Sequence, residues 1–97
     1  MFQIRLTQEA HGQYDHLKKD KGLLKRHKAV QKTLQFLKHN PRHPGLQTHK
    51  FTSLKGPQGE DILESYAEQD TPAAYRVFWY YGPDKKQITI IAITPHP

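Results

Sequence analysis

The sequence contains no cysteine. Disulfide bonds and thiolate metal sites are therefore excluded, and the simplest compartment is a reducing cytoplasm. Apolar residues are also scarce, at 35% of the chain, and no run approaches the roughly 20 apolar residues that cross a bilayer. The segment from Met1 to Thr7 lacks the apolar stretch of a signal peptide. We expect a soluble protein with no membrane partner.

Acidic residues are missing from the middle of the chain. No Asp or Glu occurs between Lys21 and Gly59, whereas nine Lys or Arg and four His fall within this stretch, and the formal net charge is +6. A large surface of one sign is usually matched to an anionic partner, either nucleic acid or an acidic protein segment. The alternative is a solvated basic face that keeps a small protein soluble.

The periodicity of the first half predicts one strand and two helices. Phe2, Ile4 and Leu6 alternate with polar residues, which is typical of a half-buried strand. Thr7 is placed to cap a first helix. A second helix ends at Asn40-Pro41, because proline disfavours helical backbone in the residue before it. The apolar stripe of this second helix is Leu23, Val30, Leu34 and Leu37.

The second half predicts only strands. One is expected from Leu46 to Leu54 and one from Asp61 to Ala67, and the last two form a hairpin around the turn at Gly82 to Lys85. The order is then β-α-α-β-β-β, or β-α-α-β-β-β-β at the most generous count, which includes all five of these strands. This order predicts a single α+β domain over residues 1–97, with an antiparallel sheet and both helices on one face.

Arg76 is the first candidate for chemistry. Side chains alternate along the strand Tyr75 to Tyr81, so Arg76 lies on the opposite side from Trp79. We expect Trp79 to face the helices, which turns Arg76 toward the open face of the sheet. A guanidinium there can clamp a phosphate and stabilise charge on phosphorus. The structural alternative is an ion pair with Glu64 or Glu68.

Histidines supply the second kind of candidate. His96 follows the last predicted strand, where an imidazole could carry a proton in a reaction such as RNA cleavage through the 2′-hydroxyl. The alternative is a chain end without a function. His39, His43 and His49 are separated by Pro-containing segments and have no carboxylate nearby, so we expect neither a metal nor another cofactor.

The residue pattern resembles the RelE/ParE superfamily of bacterial toxins from toxin–antitoxin modules. The residues that carry the likeness are Asn40-Pro41, the segment Lys50 to Gly56, the strand Tyr75-Arg76-Val77-Phe78-Trp79 and the closing Ile91 to His96. The resemblance implies a twisted antiparallel sheet backed by two helices. It also implies ribosome-dependent cleavage of mRNA, which inhibits translation, and a cognate antitoxin as protein partner.

The same resemblance implies roles for single residues. Arg76 matches the arginine that contacts the scissile phosphate, and His96 matches a position that holds an acid or a phosphate ligand. The residues expected to bind RNA are Lys25, Lys28, Lys32, His49, Lys50 and Lys55. The general base is left open among His49, Glu64 and Tyr66, because the glutamate or paired lysines of active relatives have no counterpart here.

Two other functions are compatible with the same pattern. The first is a ParE-like inhibitor of DNA gyrase, which would keep the fold without doing chemistry. The second is a catalytically inactive RelE-like module that binds RNA or a protein partner. The departures from the family pattern favour this inactive module.

Overall fold

The structure, a computed structural model, describes residues 1–96. The helices are α1 (Gln8–Lys19) and α2 (Leu24–His39). The strands are β1 (Gln3–Leu6), β2 (His49–Lys55), β3 (Asp61–Tyr66), β4 (Tyr75–Tyr81) and β5 (Gln87–Pro95). Short 3₁₀ turns lie at Lys21–Leu23 and Pro44–Leu46. The predicted α+β class is confirmed, and the additional strand is present.

All five strands belong to one sheet with the order β1-β5-β4-β3-β2. The pairs β2–β3, β3–β4 and β4–β5 are antiparallel, as the sequence predicts. β1 instead pairs in parallel with β5, so the complete sheet is mixed. The parallel direction is possible because no hairpin joins β1 to β5. The chain leaves β1 through two helices instead.

The main core lies between the helices and one face of the sheet. Leu17 of α1, Val30 and Leu37 of α2, and Trp79 of β4 are each 0% exposed. The indole Nε1 of Trp79 donates a hydrogen bond of 2.8 Å to the hydroxyl of Ser65. The largest core side chain is therefore fully buried with its one polar atom satisfied.

The predicted ends of the elements are mostly close to the observed ones. The hydroxyl of Thr7 accepts a hydrogen bond from the backbone N–H of Ala10 at 3.2 Å and so caps α1. Leu46, predicted as the start of a strand, instead lies in a 3₁₀ turn and is 1% exposed. Its burial in the main core delays β2 to His49. No helix within residues 1–96 has both the length and the apolar character needed to cross a bilayer.

A register shift in the β4–β5 hairpin decides which isoleucines are buried. Phe78 lies opposite Ala92 and Trp79 lies opposite Ile90, which leaves Ile91 outside the ladder. The extra residue changes the alternation of β5. Ile90 and Ile93 can therefore both join the core beneath the helices, although they are three residues apart.

Candidate functional site

The sheet face turned away from the helices carries four polar or aromatic side chains that contact one another. Tyr66, Arg76 and Thr94 lie opposite one another on β3, β4 and β5. Further along the sheet, His49 of β2 lies opposite Glu64 of β3. We call His49, Glu64, Tyr66 and Arg76 the Arg76 cluster. The prediction that Arg76 lies on the open face, on the other side of the sheet from Trp79, is confirmed.

An apolar cluster flanks these residues on the same face. Ile62, Phe78 and Tyr80 are buried there without any helix above them. Phe51 packs edge-on against Phe78, with 5.0 Å between the ring centroids. The open face is therefore apolar at one end and charged at the other.

Arg76 is held on several sides. Its side chain is 8% exposed, and its Nη1 donates a hydrogen bond of 3.0 Å to the carbonyl of Glu68. Longer contacts join Nη1 to the carbonyls of Ala74, at 3.3 Å, and Tyr75, at 3.5 Å. The guanidinium carbon lies 3.7 Å from the ring centroid of Tyr66, which is a cation–π contact. The guanidinium is therefore fixed in place.

The ion pair between Arg76 and Glu64, foreseen as the structural alternative, is present. The Arg76 Nε and a Glu64 carboxylate oxygen are 3.7 Å apart, and both side chains are less than 10% exposed. This distance is too long for a hydrogen bond, and the buried Nε has no hydrogen-bond partner among residues 1–96. An unsatisfied buried donor costs about 1–3 kcal/mol.

His49 is the accessible member of the cluster. Its side chain is 49% exposed, compared with 9% for Glu64, and its Nε2 lies 2.9 Å from a Glu64 carboxylate oxygen. Its Nδ1 lies 3.2 Å from the carbonyl oxygen of Gln47. Both ring nitrogens thus face acceptors, and both can donate only when the imidazole is protonated.

The loop between β3 and β4 ties the cluster to α2. The Glu68 carboxylate accepts a hydrogen bond of 3.0 Å from the backbone N–H of Tyr75 and lies 3.5 Å from the Nε of Arg26. The carbonyl of the same Glu68 binds Arg76. The position of the Arg76 guanidinium therefore depends on a loop that α2 holds from the other side.

His96 lies at the end of the sheet nearest to Arg76. Its backbone N–H donates to the carbonyl of Ala74 at 2.8 Å, which continues the β4–β5 ladder beyond the pair of Tyr75 and Pro95. Alternation along the strand places His96 on the same face as Thr94 and therefore on the face of Arg76. The residue is exposed. Its catalytic role stays a prediction.

Lys50 and Lys55 lie away from the Arg76 cluster. Their partners in the register are Leu63 and Asp61, which belong to the helix side of the sheet, whereas His49 faces the other way. The Asp61 carboxylate lies 3.4 Å from the Lys50 ammonium and 2.6 Å from that of Lys55. The two lysines hold the pKa of Asp61 below its ordinary value, Lys55 having the larger effect.

The three lysines of α2 that are expected to bind RNA are exposed. Lys25, Lys28 and Lys32 all point to solvent. Lys32 lines a small cleft of about 160 Å³ together with Tyr66 of the cluster. Within residues 1–96 no group of three or more histidine, aspartate or glutamate side chains is placed to hold a metal ion.

The sequence could not rank His49, Glu64 and Tyr66, because it does not reveal the register of β2. An unbroken ladder continuing from the pair of Lys55 and Asp61 would place Thr52 opposite Glu64. The irregularity between Lys50 and Lys55 places His49 there instead. One signal was available in the sequence: His49 lies in a predicted strand, and the next predicted strand contains Glu64.

Comparisons with known proteins identify the fold. No protein-family model matches the sequence, and neither does any curated protein. Solved structures do match over nearly the whole chain. A YoeB/ParE toxin from Agrobacterium tumefaciens has a TM-score of 0.71 and 12% identity, with 100% of both chains covered.

Two other toxin structures support the same assignment. The YoeB dimer from Staphylococcus aureus has a TM-score of 0.63 and 16% identity, covering 99% of this chain and 98% of that one. The archaeal RelE-RelB complex from Pyrococcus horikoshii OT3 has a TM-score of 0.65 and 15% identity, covering 97% and 93%. Identities this low establish the fold alone. The resemblance inferred from the sequence is thus confirmed at the level of architecture: the chain has the fold of the RelE/ParE toxins.

Proposed function

We propose that this chain is the toxin of a type II toxin–antitoxin module and cleaves mRNA on the ribosome. The shared fold with YoeB and RelE toxins supports this proposal. The observation that carries it is the Arg76 cluster, in which a guanidinium, a carboxylate and an imidazole collect on the sheet face that the helices leave uncovered. Phosphodiester cleavage needs such a cation and such proton carriers.

In the proposed reaction the RNA 2′-hydroxyl attacks the adjacent phosphorus and the 5′-oxygen leaves. Arg76 stabilises the charge that develops on the phosphate. Because Tyr66 and the Glu68 carbonyl hold the guanidinium, little reorganisation is needed when the charge appears. His96, on the same face, donates a proton to the leaving 5′-oxygen.

The basic side chains supply RNA affinity in this proposal. Lys25, Lys28 and Lys32 form an exposed row on α2, and Lys32 borders the cleft beside Tyr66. Lys50 and Lys55 are neutralised in part by Asp61, but exposed ion pairs of this kind are weak, so RNA phosphates can replace the carboxylate. His49 lies on the cluster face itself.

A cognate antitoxin is the proposed protein partner. The neighbour from P. horikoshii OT3 was solved as a RelE-RelB complex. This chain carries a net charge of +6, which suits an antitoxin with an acidic segment that covers the basic surface. The proposed compartment is the cytoplasm, where mRNA and ribosomes are found.

The direct test is primer extension on ribosome-bound mRNA. We expect Arg76→Ala and His96→Ala each to lower cleavage by about 10²-fold or more. Lys85→Ala, in the exposed β4–β5 turn, is the matched control and should cut like the wild type. Because Arg76 is buried, Arg76→Lys is included and each variant is checked for a cooperative unfolding transition. Unchanged cutting by the Ala variants at both positions would defeat the proposed catalytic residues.

The low exposure of Arg76 keeps the ParE-like function as a second candidate, since a guanidinium that is 8% exposed and already donates to the Glu68 carbonyl need not contact RNA. Growth arrest with intact mRNA and gyrase-dependent DNA damage would favour that gyrase inhibitor. Expression without growth arrest would favour the inactive RelE-like binding module.

A further inference from the structure

The guanidinium of Arg76 is held by a loop that is itself under backbone strain. Residues 67–74 connect β3 to β4, and the carbonyl of Glu68 in this loop accepts a hydrogen bond of 3.0 Å from Arg76 Nη1. In the same loop Asp70 has a φ of 59° and Ala73 a φ of 53°. Left-handed backbone is uncommon for residues other than glycine and persists where the surrounding structure imposes it. The position of Arg76 therefore depends on the contacts that anchor this loop.

Arg26 of α2 anchors the β3–β4 loop at three points. Its Nε lies 3.5 Å from the Glu68 carboxylate, and its Nη2 donates a long hydrogen bond of 3.4 Å to the carbonyl of Pro72. Its guanidinium carbon lies 5.2 Å from the centroid of the Tyr75 ring, which is a cation–π contact. One side chain of α2 therefore contacts the start of the loop, a residue near its end and the first residue of β4.

Glu68 connects Arg26 to Arg76, because its side chain contacts the first and its backbone contacts the second. The carboxylate oxygen that faces Arg26 also accepts a hydrogen bond of 3.0 Å from the backbone N–H of Tyr75. The Glu68 N–H donates to the carbonyl of Tyr75 at 3.2 Å, and the Glu68 carbonyl accepts from Arg76. A shift of the Glu68 carboxylate away from Arg26 would therefore also shift the carbonyl that holds Arg76.

The fold itself does not depend on Arg26. Its side chain is 31% exposed, and α2 is packed against the sheet by core residues such as Val30 and Leu37, which are fully buried. A second anchor also holds the loop, since Gln69 makes two hydrogen bonds, of 3.0 and 3.3 Å, to the segment before β2. Loss of the Arg26 side chain is therefore expected to loosen the Arg76 guanidinium while the protein stays folded.

We propose that Arg26 is a positioning residue, which fixes the Arg76 guanidinium through Glu68; this inference rests on the ribonuclease function proposed above. Arg26 lies on α2, outside the Arg76 cluster, and in this role it does not touch the RNA. Donors that are already in place need no reorganisation when charge develops on the phosphate. A guanidinium that moves more freely therefore stabilises the transition state less, although it still binds the substrate.

The first measurement is hydrogen exchange of the Arg76 side chain, followed by NMR of the ¹⁵N-labelled protein without RNA. The Nε–H of Arg76 is buried, so its exchange with water should be slow in the wild type. We expect Arg26→Ala to accelerate this exchange by about tenfold, because the loop that covers the guanidinium opens more often. The indole N–H of Trp79 is the internal reference and should keep its wild-type rate, since it is buried beneath the helices.

The second measurement is single-turnover cleavage of ribosome-bound mRNA as a function of protein concentration. Arg26→Ala should lower the rate at saturation by about tenfold and leave the half-saturating concentration within about twofold of the wild-type value. Arg26→Lys, which keeps a cation beside Glu68, should recover part of the lost rate. Arg42→Ala removes an exposed arginine from the loop after α2 and is the matched control, which should cut like the wild type.

A substitution of Glu68 tests whether the effect of Arg26 passes through this residue. Glu68→Gln keeps an acceptor for the N–H of Tyr75 but loses the charge that pairs with Arg26. It should therefore accelerate exchange at Arg76 as well. The double variant should show less than the product of the two separate effects, because both substitutions break the same contact. Effects that multiply in full would overturn the route through Glu68.

The outcomes separate this inference from the proposed ribonuclease function. A wild-type protein that leaves mRNA intact overturns the ribonuclease, whereas the exchange measurement still decides whether Arg26 fixes Arg76. Wild-type exchange at Arg76 in the Arg26→Ala variant overturns the positioning role, whether or not mRNA is cut. A raised half-saturating concentration with an unchanged rate at saturation also overturns it and makes Arg26 an RNA ligand. If Arg26→Ala has no cooperative unfolding transition, Glu68→Gln provides the same two measurements.

Discussion

The two faces of the sheet bury polar groups in different ways. Around Trp79, beneath the helices, the polar groups form hydrogen bonds with one another. The indole donates to Ser65, whose hydroxyl also lies 2.6 Å from that of Thr48. On the open face Glu64 lies between Arg76 and His49. The Arg76 Nε has no hydrogen-bond partner among residues 1–96, and the same is true of the His27 Nε2 in α2. Trp79 and Ser65 are both 0% exposed, whereas the polar contacts of the open face end at His49, whose side chain is 49% exposed, so the proposed chemistry is placed on the open face.

The sharpest test of the helix side is Trp79→Ala. Removing a fully buried indole leaves a cavity and the Ser65 hydroxyl without its donor, so we expect a loss of about 4 kcal/mol in the free energy of unfolding. Urea denaturation followed by circular dichroism measures it. Tyr81→Ala, on the same strand and face but 42% exposed, should cost much less. Equal losses for the two variants would contradict the assignment of the core.

A double-mutant cycle on Arg76 and Glu64 tests the open face. Arg76→Met alone leaves the buried Glu64 carboxylate without its arginine partner and should cost about 3 kcal/mol. Adding Glu64→Leu removes that carboxylate, so the double variant should be more stable than the sum of the single losses predicts, by about 1 kcal/mol. Additive losses would mean that the ion pair contributes nothing to stability.

The cap of α1 should have a smaller effect. Thr7→Ala removes the hydroxyl that accepts from Ala10 and should cost about 1 kcal/mol, visible as a lower Tm in thermal unfolding. Thr52→Ala, exposed on β2, is the matched control. A Tm of Thr7→Ala equal to that of this control would show that α1 does not need its cap.

Asp61→Asn should have the smallest effect. Lys55 and Lys50 lower the pKa of Asp61 from its ordinary value of 3.8. An acid with a lowered pKa in the folded state adds stability that is present above the ordinary value and is lost as the pH falls through the folded value. The variant should therefore lose stability less steeply below pH 4 in acid unfolding, and it should bind RNA slightly more tightly because both lysines are released. A steeper acid loss would contradict the sign.

The sequence predicts the helix side better than the open side. Local periodicity is enough to place Trp79 in the core and to cap α1 at Thr7, because both depend on neighbours in sequence. It also places Arg76 on the open face correctly. The parallel pairing of β1 with β5 could not be predicted, since contacts between the two ends of the chain leave no local pattern.

The partners within the Arg76 cluster are harder to predict, for physical reasons. The contact of His49 with Glu64 depends on an irregularity in β2 that shifts the register, and the sequence does not mark where it occurs. The contact of Arg76 with the Glu68 carbonyl depends on the path of an irregular loop. Such contacts follow from the folded backbone and not from the spacing of residue types.

RNA binding to the open face can be tested directly by an NMR titration of the ¹⁵N-labelled protein with a 2′-O-methyl RNA that cannot be cleaved. We expect the amide signals of His49, Glu64, Tyr66 and Arg76 to shift with the RNA concentration, whereas those around Val30 and Trp79 should not. Shifts confined to the helix side, with the Arg76 cluster unaffected, would contradict the claim that the open face of the sheet is the reactive one.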